Sequence, residues 1–138
     1  MGLILDSTVF IGGKRRGQTL PEILKRVLSA FRDPEVAISS VTAAELLHGV
    51  WRSETAETRV RREEFVEEIL TRIPVCPLTL RVARIVAQVD ARLRSRGTTI
   101  PTADLWIGAT ALDLGFSLTT ANVRHFAKIA GLRVHHLD

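Results

Sequence analysis

The sequence predicts an α/β fold, in which a mostly parallel sheet is covered by helices on both faces. Strand-like and helix-like segments alternate along the chain, which is the pattern of such folds. The length of 138 residues suits one domain with a single core. No repeat, low-complexity stretch or linker interrupts the pattern. We therefore expect residues 1–138 to form a single domain.

Five short apolar segments predict the strands, at residues 2–6, 35–40, 72–78, 115–120 and 132–137. The third segment contains Pro74 and Pro77. Proline has no backbone N–H to donate to a neighbouring strand, so this segment is expected at an edge of the sheet.

Six segments carry apolar residues at helical spacing and predict helices, at residues 20–31, 41–52, 55–70, 80–94, 104–114 and 123–130. Gly131 follows the last of these, where a glycine commonly ends a helix. The basic stretch "GGKRRGQ", at residues 12–18, predicts a flexible loop after the first strand.

Composition narrows the class of protein. The net charge of +4 permits a polyanionic partner such as nucleic acid without requiring one. Aromatic residues make up only 5% of the chain, which favours phosphate contacts over base stacking. No apolar run is long enough for a membrane span and no basic leader is present, so we expect a cytoplasmic protein. Cys76 is the only cysteine, which excludes an internal disulfide and a multi-cysteine zinc site.

Polar residues punctuate the strand ends and helix starts. Asp6 closes the first strand, Glu45 lies near the start of the helix after the second strand, and Asp104 opens the apolar helix "ADLWIGATAL". Asn122 follows the fourth strand. Functional sites of parallel sheets form at the carboxyl ends of the strands, so these four residues are expected at one rim.

Each of these residues also has a purely structural interpretation. Asp6 and Asn122 are common turn or cap residues. Thr42 and Glu45 fit the spacing of a capping box. Asp104 suits the first turn of a helix, where the helix dipole favours an acid. The order of the four residues along the chain and their apolar surroundings together favour the functional interpretation.

Clustered carboxylates repel one another, and a bound cation would relieve that repulsion. Two of them about 4 Å apart repel by roughly 4 kcal/mol at an effective dielectric near 20. A divalent cation reverses the sign of that energy, and oxygen ligands suit Mg²⁺ or Mn²⁺ rather than zinc. Such a site can activate water for attack on a phosphodiester.

Four segments together resemble the PIN-domain family, and within it the VapC toxins of bacterial toxin–antitoxin pairs. They are "LILDSTVFI", "ISSVTAAELLHGV", "IPTADLWIGATAL" and "SLTTANVRHFAKIAGLRV", and they span essentially the whole chain. The resemblance implies a three-layer α/β/α sandwich with a mostly parallel sheet of four to five strands. It further implies a Mg²⁺- or Mn²⁺-dependent endoribonuclease that leaves a 5′-phosphate and a 3′-hydroxyl. A VapB-like antitoxin and a second copy of the chain are the implied protein partners.

The resemblance also assigns residues. Asp6, Glu45 and Asp104 match the family's metal-binding acids, and Asn122 stands where many members have a fourth acid. The resemblance thus implies that these four are the catalytic residues. The hydroxyl residues that match supporting positions of the pocket are Ser7 and Thr120.

Other polar residues are weighed against structural roles. Lys14, Arg15 and Arg16 are candidates for contacts with RNA phosphates, with a solvated loop as the alternative. His125 is expected to be a surface helix residue rather than a general base.

Two other functions compete with the ribonuclease. A PIN-like module that binds RNA or protein without cutting is supported by Asn122 in place of an acid, whereas the three retained acids oppose it. A receiver-type phospho-acceptor domain needs an acceptor aspartate in a middle strand, and "IPVCPL" contains none.

Overall fold

The computed structural model describes residues 2–32 and 34–137. Five strands form one sheet in the order β3-β2-β1-β4-β5, and every neighbouring pair is parallel. The strands are β1 Gly2–Leu5, β2 Glu35–Ser39, β3 Val75–Cys76, β4 Ser117–Thr120 and β5 Val134–His136. The predicted parallel sheet is thus confirmed, and so is the edge position of the proline-flanked strand.

The central strand is fully buried because helices cover both faces of the sheet. Ile4 of β1 is in register with Ala37 of β2 and with Leu118 of β4. Since all strands run the same way, Leu5, Ser39 and Thr120 end at one edge of the sheet. The chain segments that follow these strands therefore begin close together.

In the described part of the chain, six α-helices pack on the two faces: α1 Ser7–Arg15, α2 Leu20–Ser29, α3 Ser40–Trp51, α4 Ala56–Arg72, α5 Leu80–Ser95 and α6 Thr102–Leu114. One buried cluster joins β1 and β2 to α1–α4. A second cluster joins the sheet to α5 and α6 on the other side. The predicted α/β/α sandwich is confirmed. No helix in residues 2–32 or 34–137 is long and apolar enough to cross a membrane.

The predicted loop at residues 12–18 is wrong over its first half, because α1 continues to Arg15. Gly12 and Gly13 lie inside this helix although glycine is a poor helix former. A Cβ on Gly13 would stand 2.4 Å from Cγ1 of Ile23. The close packing of α1 on α2 thus requires glycine at this point and outweighs its low propensity. The turn itself falls at Gly17, whose φ is 75°.

The predicted helix at residues 123–130 is also wrong, since only a 3₁₀ turn forms over Phe126–Lys128. Phe126 and Ile129 are both buried, and Ile129 has extended backbone geometry. Its side chain packs against Gly108 of α6. The apolar spacing that predicted a helix instead reflects an irregular segment anchored by these two side chains.

Candidate active site

The three predicted acids lie at the carboxyl edge of the sheet, near enough for their charges to interact. Asp6 follows β1, Glu45 lies in the second turn of α3, and Asp104 lies in the first turn of α6. Burial, followed by the negative charges of Asp6 and Asp104, raises the pKa of the Glu45 carboxyl above its ordinary value. Helices from both layers, together with the end of β1, therefore place negatively charged carboxylates at this edge of the sheet.

Asp6 is held by two hydroxyl groups. Its Oδ2 accepts hydrogen bonds from Oγ1 of Thr8 and from Oγ1 of Thr120, both at 2.8 Å. Thr8 Oγ1 accepts in turn from the backbone N–H of Ala121 at 3.0 Å, and Thr120 Oγ1 accepts from that of Asn122 at 3.0 Å. Asp6 occupies the N-cap position of α1, but its side chain makes no capping hydrogen bond. Its carboxylate is therefore oriented by the two threonine side chains and does not cap the helix.

Asp104 is held by a histidine. Its Oδ2 lies 2.8 Å from Nδ1 of His125, and the two side chains are 19% and 31% exposed. Burial raises the pKa of Asp104, whereas the hydrogen bond with His125 acts in the opposite direction and the charge of Asp6 adds to the rise. The expectation that His125 is only a surface helix residue is wrong, because the irregular segment turns it toward α6.

Glu45 is the most exposed of the three acids. The predicted capping box is absent, since Ser39 caps α3 and its Oγ accepts from the N–H of Val41 at 3.1 Å. Thr42 is instead fully buried. Ser7 donates a hydrogen bond to Glu45, which opposes the rise of its pKa. Ser7 thus lies where the supporting hydroxyl was predicted.

Asn122 is placed differently from the acids. Its backbone closes a turn with Thr120, while its side chain is exposed. Within the described residues, no hydrogen bond joins its side-chain amide to any of the acids.

A cavity of about 300 Å³ opens beside Glu45. Its floor is apolar, with Leu46, Val50 and Phe65 among the lining residues, and its rim carries cations. The cations are Lys14 and Arg15 of α1, Arg52 after α3, and Arg62 of α4. Two of the three predicted RNA-contact residues therefore lie next to an acid of the site. Arg16 follows at the end of α1.

The donor set suits a hard divalent cation. In the part of the chain that the structure describes, no three acidic, histidine or cysteine side chains are close enough to form a ready-made metal shell. The acids nevertheless interact electrostatically, because the charge of Asp6 raises the pKa of Glu45 and of Asp104, and the charge of Asp104 raises that of Glu45. A bound cation would relieve that repulsion, and carboxylate oxygens are ligands that Mg²⁺ and Mn²⁺ prefer. The residues present thus fit such an ion.

Sequence reasoning missed two residues of this site. Thr8 is the second residue after Asp6, and His125 precedes a buried phenylalanine. A hydroxyl two residues after a strand-end acid is a signal for Thr8, since it can donate back to that acid. No local signal exists for His125, because its contact with Asp104 spans 21 residues.

Comparisons with known proteins identify the family of the chain. The family model of the PIN domain matches residues 3–132. The chain is 31% identical over 134 residues to "Ribonuclease VapC1" of Rickettsia felis, covering 97% of this chain and 95% of that one. It is 31% identical over 99 residues to "tRNA(fMet)-specific endonuclease VapC" of Shigella flexneri, covering 72% and 73% of the two chains.

A solved structure shares the whole fold. The DNA-bound VapBC of Salmonella typhimurium matches with a TM-score of 0.83 and 26% identity, covering 99% of this chain and 98% of that one. With the match to the family model and the two relatives, this likeness shows that the chain belongs to the PIN-domain family, among its VapC proteins.

Proposed function

We propose that this protein is a divalent-cation-dependent endoribonuclease of the VapC type, which hydrolyses RNA phosphodiester bonds. The observation that carries the proposal is the presence of Asp6, Glu45 and Asp104 at one sheet edge, where burial and the charge of Asp6 raise the pKa values of the other two carboxyls. The similarity to proteins named as a ribonuclease and as a tRNA-specific endonuclease supports the same chemistry.

Asp6 and Asp104 are the proposed principal ligands of the cation. Each binds its partner hydroxyl or histidine through Oδ2. Neither Oδ1 accepts a hydrogen bond from residues 2–32 or 34–137, so both remain for a cation. A bound Mg²⁺ or Mn²⁺ would neutralise negative charge on the phosphodiester and activate water.

Glu45 is the proposed third ligand and proton acceptor. Glu45 is an exposed residue, but its carboxyl is partly buried, and the raised pKa makes it a better base than an ordinary glutamate. A water aligned for in-line attack on the phosphorus can pass its proton to this carboxylate. Asn122 adds no charge, and we assign it a supporting role in the turn that carries Thr120.

Lys14, Arg15 and Arg16 are proposed to contact RNA phosphates. The first two line the cavity beside Glu45, so their charge lies close to the acids that act on the phosphodiester. Phosphate contacts position a nucleic acid without reading its sequence. These residues are therefore expected to set affinity rather than the choice of RNA.

The proposal includes two protein partners. A VapB-like antitoxin suits the apolar floor and cationic rim of the cavity beside Glu45, and the VapBC structure from Salmonella supports such a partner. A second copy of the chain suits the exposed apolar side chains Leu80 and Leu114, which are 68% and 42% exposed. The ion pair of Arg81 with Asp113 at 3.0 Å brings these two leucines to neighbouring positions.

Cleavage of an RNA panel tests the proposal. Purified protein is incubated with labelled tRNA, ribosomal RNA fragments and single-stranded RNA, in Mg²⁺, in Mn²⁺ and in excess EDTA. Cuts that require a cation and disappear in Asp6→Asn are expected. Folded wild-type protein that binds RNA but makes no cuts would instead support the binding module. Equal cutting by a clean Asp6→Asn preparation would refute the assigned site.

A further inference from the structure

We propose that a cationic cleft on the Asp104 side of the molecule binds a backbone phosphate of the RNA strand. The cleft lies between the C-terminal end of α5 and the segment after the 3₁₀ turn. It is a small cavity of about 20 Å³ lined by Val89, Arg92, Leu93, Arg96, Lys128 and Ala130. The inference rests on the proposed function only in taking RNA as the ligand.

The three cations of this cleft lack a counter-charge. Within residues 2–32 and 34–137, no carboxylate forms an ion pair with Arg92, Arg96 or Lys128. Arg94 on the same helix end is different, because its Nε lies 2.9 Å from Oδ2 of Asp90. The acid nearest in the helix is thus already paired with a cation outside the cleft. Three like charges around one small space favour the binding of an anion there.

The cations come from separate parts of the chain. Basic residues in the last turn of a helix are favoured by the helix dipole, which explains Arg92 on structural grounds. Lys128 belongs to the 3₁₀ turn, a segment separate from α5. Three cations from two segments thus surround one small space, an arrangement that a shared anionic ligand would stabilise.

The cleft is close to the acids. Ile129, between two of the cleft residues, packs against Gly108, where a Cβ would stand 2.6 Å from its Cδ1. Gly108 is one helical turn after Asp104, or about 6 Å along α6. His125, which contacts Asp104, is three residues before Lys128. An RNA strand whose reacting phosphate reaches Asp104 can therefore place a neighbouring phosphate at the cleft.

The chemistry of the cleft fits a phosphate better than a base. Arginine presents a planar fork of donors that matches phosphate oxygens, and lysine adds a point charge. The remaining lining side chains, Val89, Leu93 and Ala130, are apolar and offer nothing to read a base edge. The cleft should bind the backbone of any sequence, in contrast to a specificity pocket.

A charge-matched comparison tests the cleft. One variant carries Arg92→Gln, Arg96→Gln and Lys128→Gln. A control variant carries Lys25→Gln, Arg26→Gln and Arg32→Gln, on and after α2 in the opposite layer. Each variant lowers the net charge of +4 by three. Binding of a fluorescein-labelled single-stranded RNA of mixed sequence is followed by anisotropy in EDTA, across a range of salt.

The cleft variant is expected to weaken RNA binding at least about 10-fold and to lower the salt slope by about 0.7, the contribution of one single-strand phosphate contact. The control variant is expected to change affinity less than about 2-fold. Equal losses in both variants would overturn the proposal, because net charge alone would then explain them. Unchanged RNA affinity in the cleft variant would also overturn the proposal. The same holds if the variant loses only its binding of an acidic antitoxin peptide.

Two further readouts keep the outcome clear. Thermal unfolding verifies that both variants fold, and the single Lys128→Gln change is expected to weaken binding about 3-fold if the triple variant is unstable. A cleft variant that loses RNA affinity while wild-type protein cuts no RNA would refute the nuclease and leave the phosphate site standing. Cutting by wild-type protein with unchanged binding in the cleft variant would refute only the cleft.

Discussion

Asp6 and Glu45 carry the same charge at the same sheet edge, yet the protein holds them in opposite ways. Asp6 is 5% exposed, and two threonine hydroxyls bind one of its oxygens. Glu45 lies on an exposed part of α3 with a hydrogen bond from Ser7. The comparison teaches that the fold fixes one proposed ligand in advance and leaves another with room to adjust to a cation or a substrate.

The largest effect should come from changing the length of these two side chains. Asp6→Glu adds a methylene where the carboxylate is already fixed, and overpacking a buried site costs about 1–3 kcal/mol. We expect it to lower RNA cleavage more than about 100-fold, beyond the loss typical of supporting residues at metal sites. Glu45→Asp retains an exposed carboxylate and should lose about 10-fold. Initial rates of cleavage with matched protein concentrations measure both, and a larger loss in Glu45→Asp would reverse the comparison.

The second effect concerns His125, which holds Asp104 as the threonines hold Asp6. Its removal in His125→Leu should weaken Mn²⁺ binding about 10–100-fold, since partners that orient a ligand have effects of that size. His125→Asn retains a donor near the position of Nδ1 and should recover most of the affinity. Calorimetric titration with Mn²⁺ measures both variants. Equal affinities for the leucine and asparagine variants would show that the donor is unimportant.

The third effect concerns the two hydroxyls on Asp6. Thr8→Val and Thr120→Val each remove a hydrogen bond to a carboxylate while keeping the shape of the side chain. Each should lower the free energy of unfolding by about 1.5–3 kcal/mol. Thr71→Val is the control, because its hydroxyl bonds only a backbone carbonyl on the exposed face of α4. Urea unfolding would contradict the account if all three variants were equally stable.

The smallest effect is a pH dependence of stability from the two acids with raised pKa values. Burial raises the pKa of Glu45 above 4.5 and that of Asp104 above 3.8 in the folded state. The folded protein thus binds these protons more tightly than the unfolded chain. Their contribution is most favourable below the ordinary pKa values and is lost as the pH rises through the raised ones.

Glu45→Gln cannot ionise and therefore does not lose stability as the pH rises. Without metal, this variant should melt at a higher temperature than wild type at neutral pH. The gain should stay within the few degrees that about 1 kcal/mol gives a domain of this size. Melting curves in EDTA from acid to neutral pH should show the two proteins converging in acid. Glu64→Gln on the exposed surface of α4 is the control. A gain that persists unchanged in acid would exclude the titration of Glu45 as its cause.

The parallel sheet and its rim could be predicted from the sequence, because apolar strands buried on both faces are distinctive over four or five residues. The acids at strand ends could be placed at one edge for the same reason. Helix α1 was missed since its two glycines oppose helix formation locally, and only the packing of Gly13 against Ile23 reveals why they are there.

The contact of His125 with Asp104 also depends on packing. Its segment carries apolar residues at helical spacing, yet Phe126 and Ile129 anchor it as an irregular chain. The roles of Asp6, Glu45, Asp104, Asn122, Ser7 and Thr120 stay predictions, because geometry places side chains without testing chemistry.

The role of Asp6 is tested by a calorimetric Mn²⁺ titration of wild type and Asp6→Asn, with cleavage of one labelled RNA measured in the same samples. Wild type should bind Mn²⁺ and cut RNA in proportion to its occupancy, whereas Asp6→Asn should lose both while remaining folded. Unchanged Mn²⁺ affinity in Asp6→Asn would contradict the assigned site, because the cation would then be held by other residues.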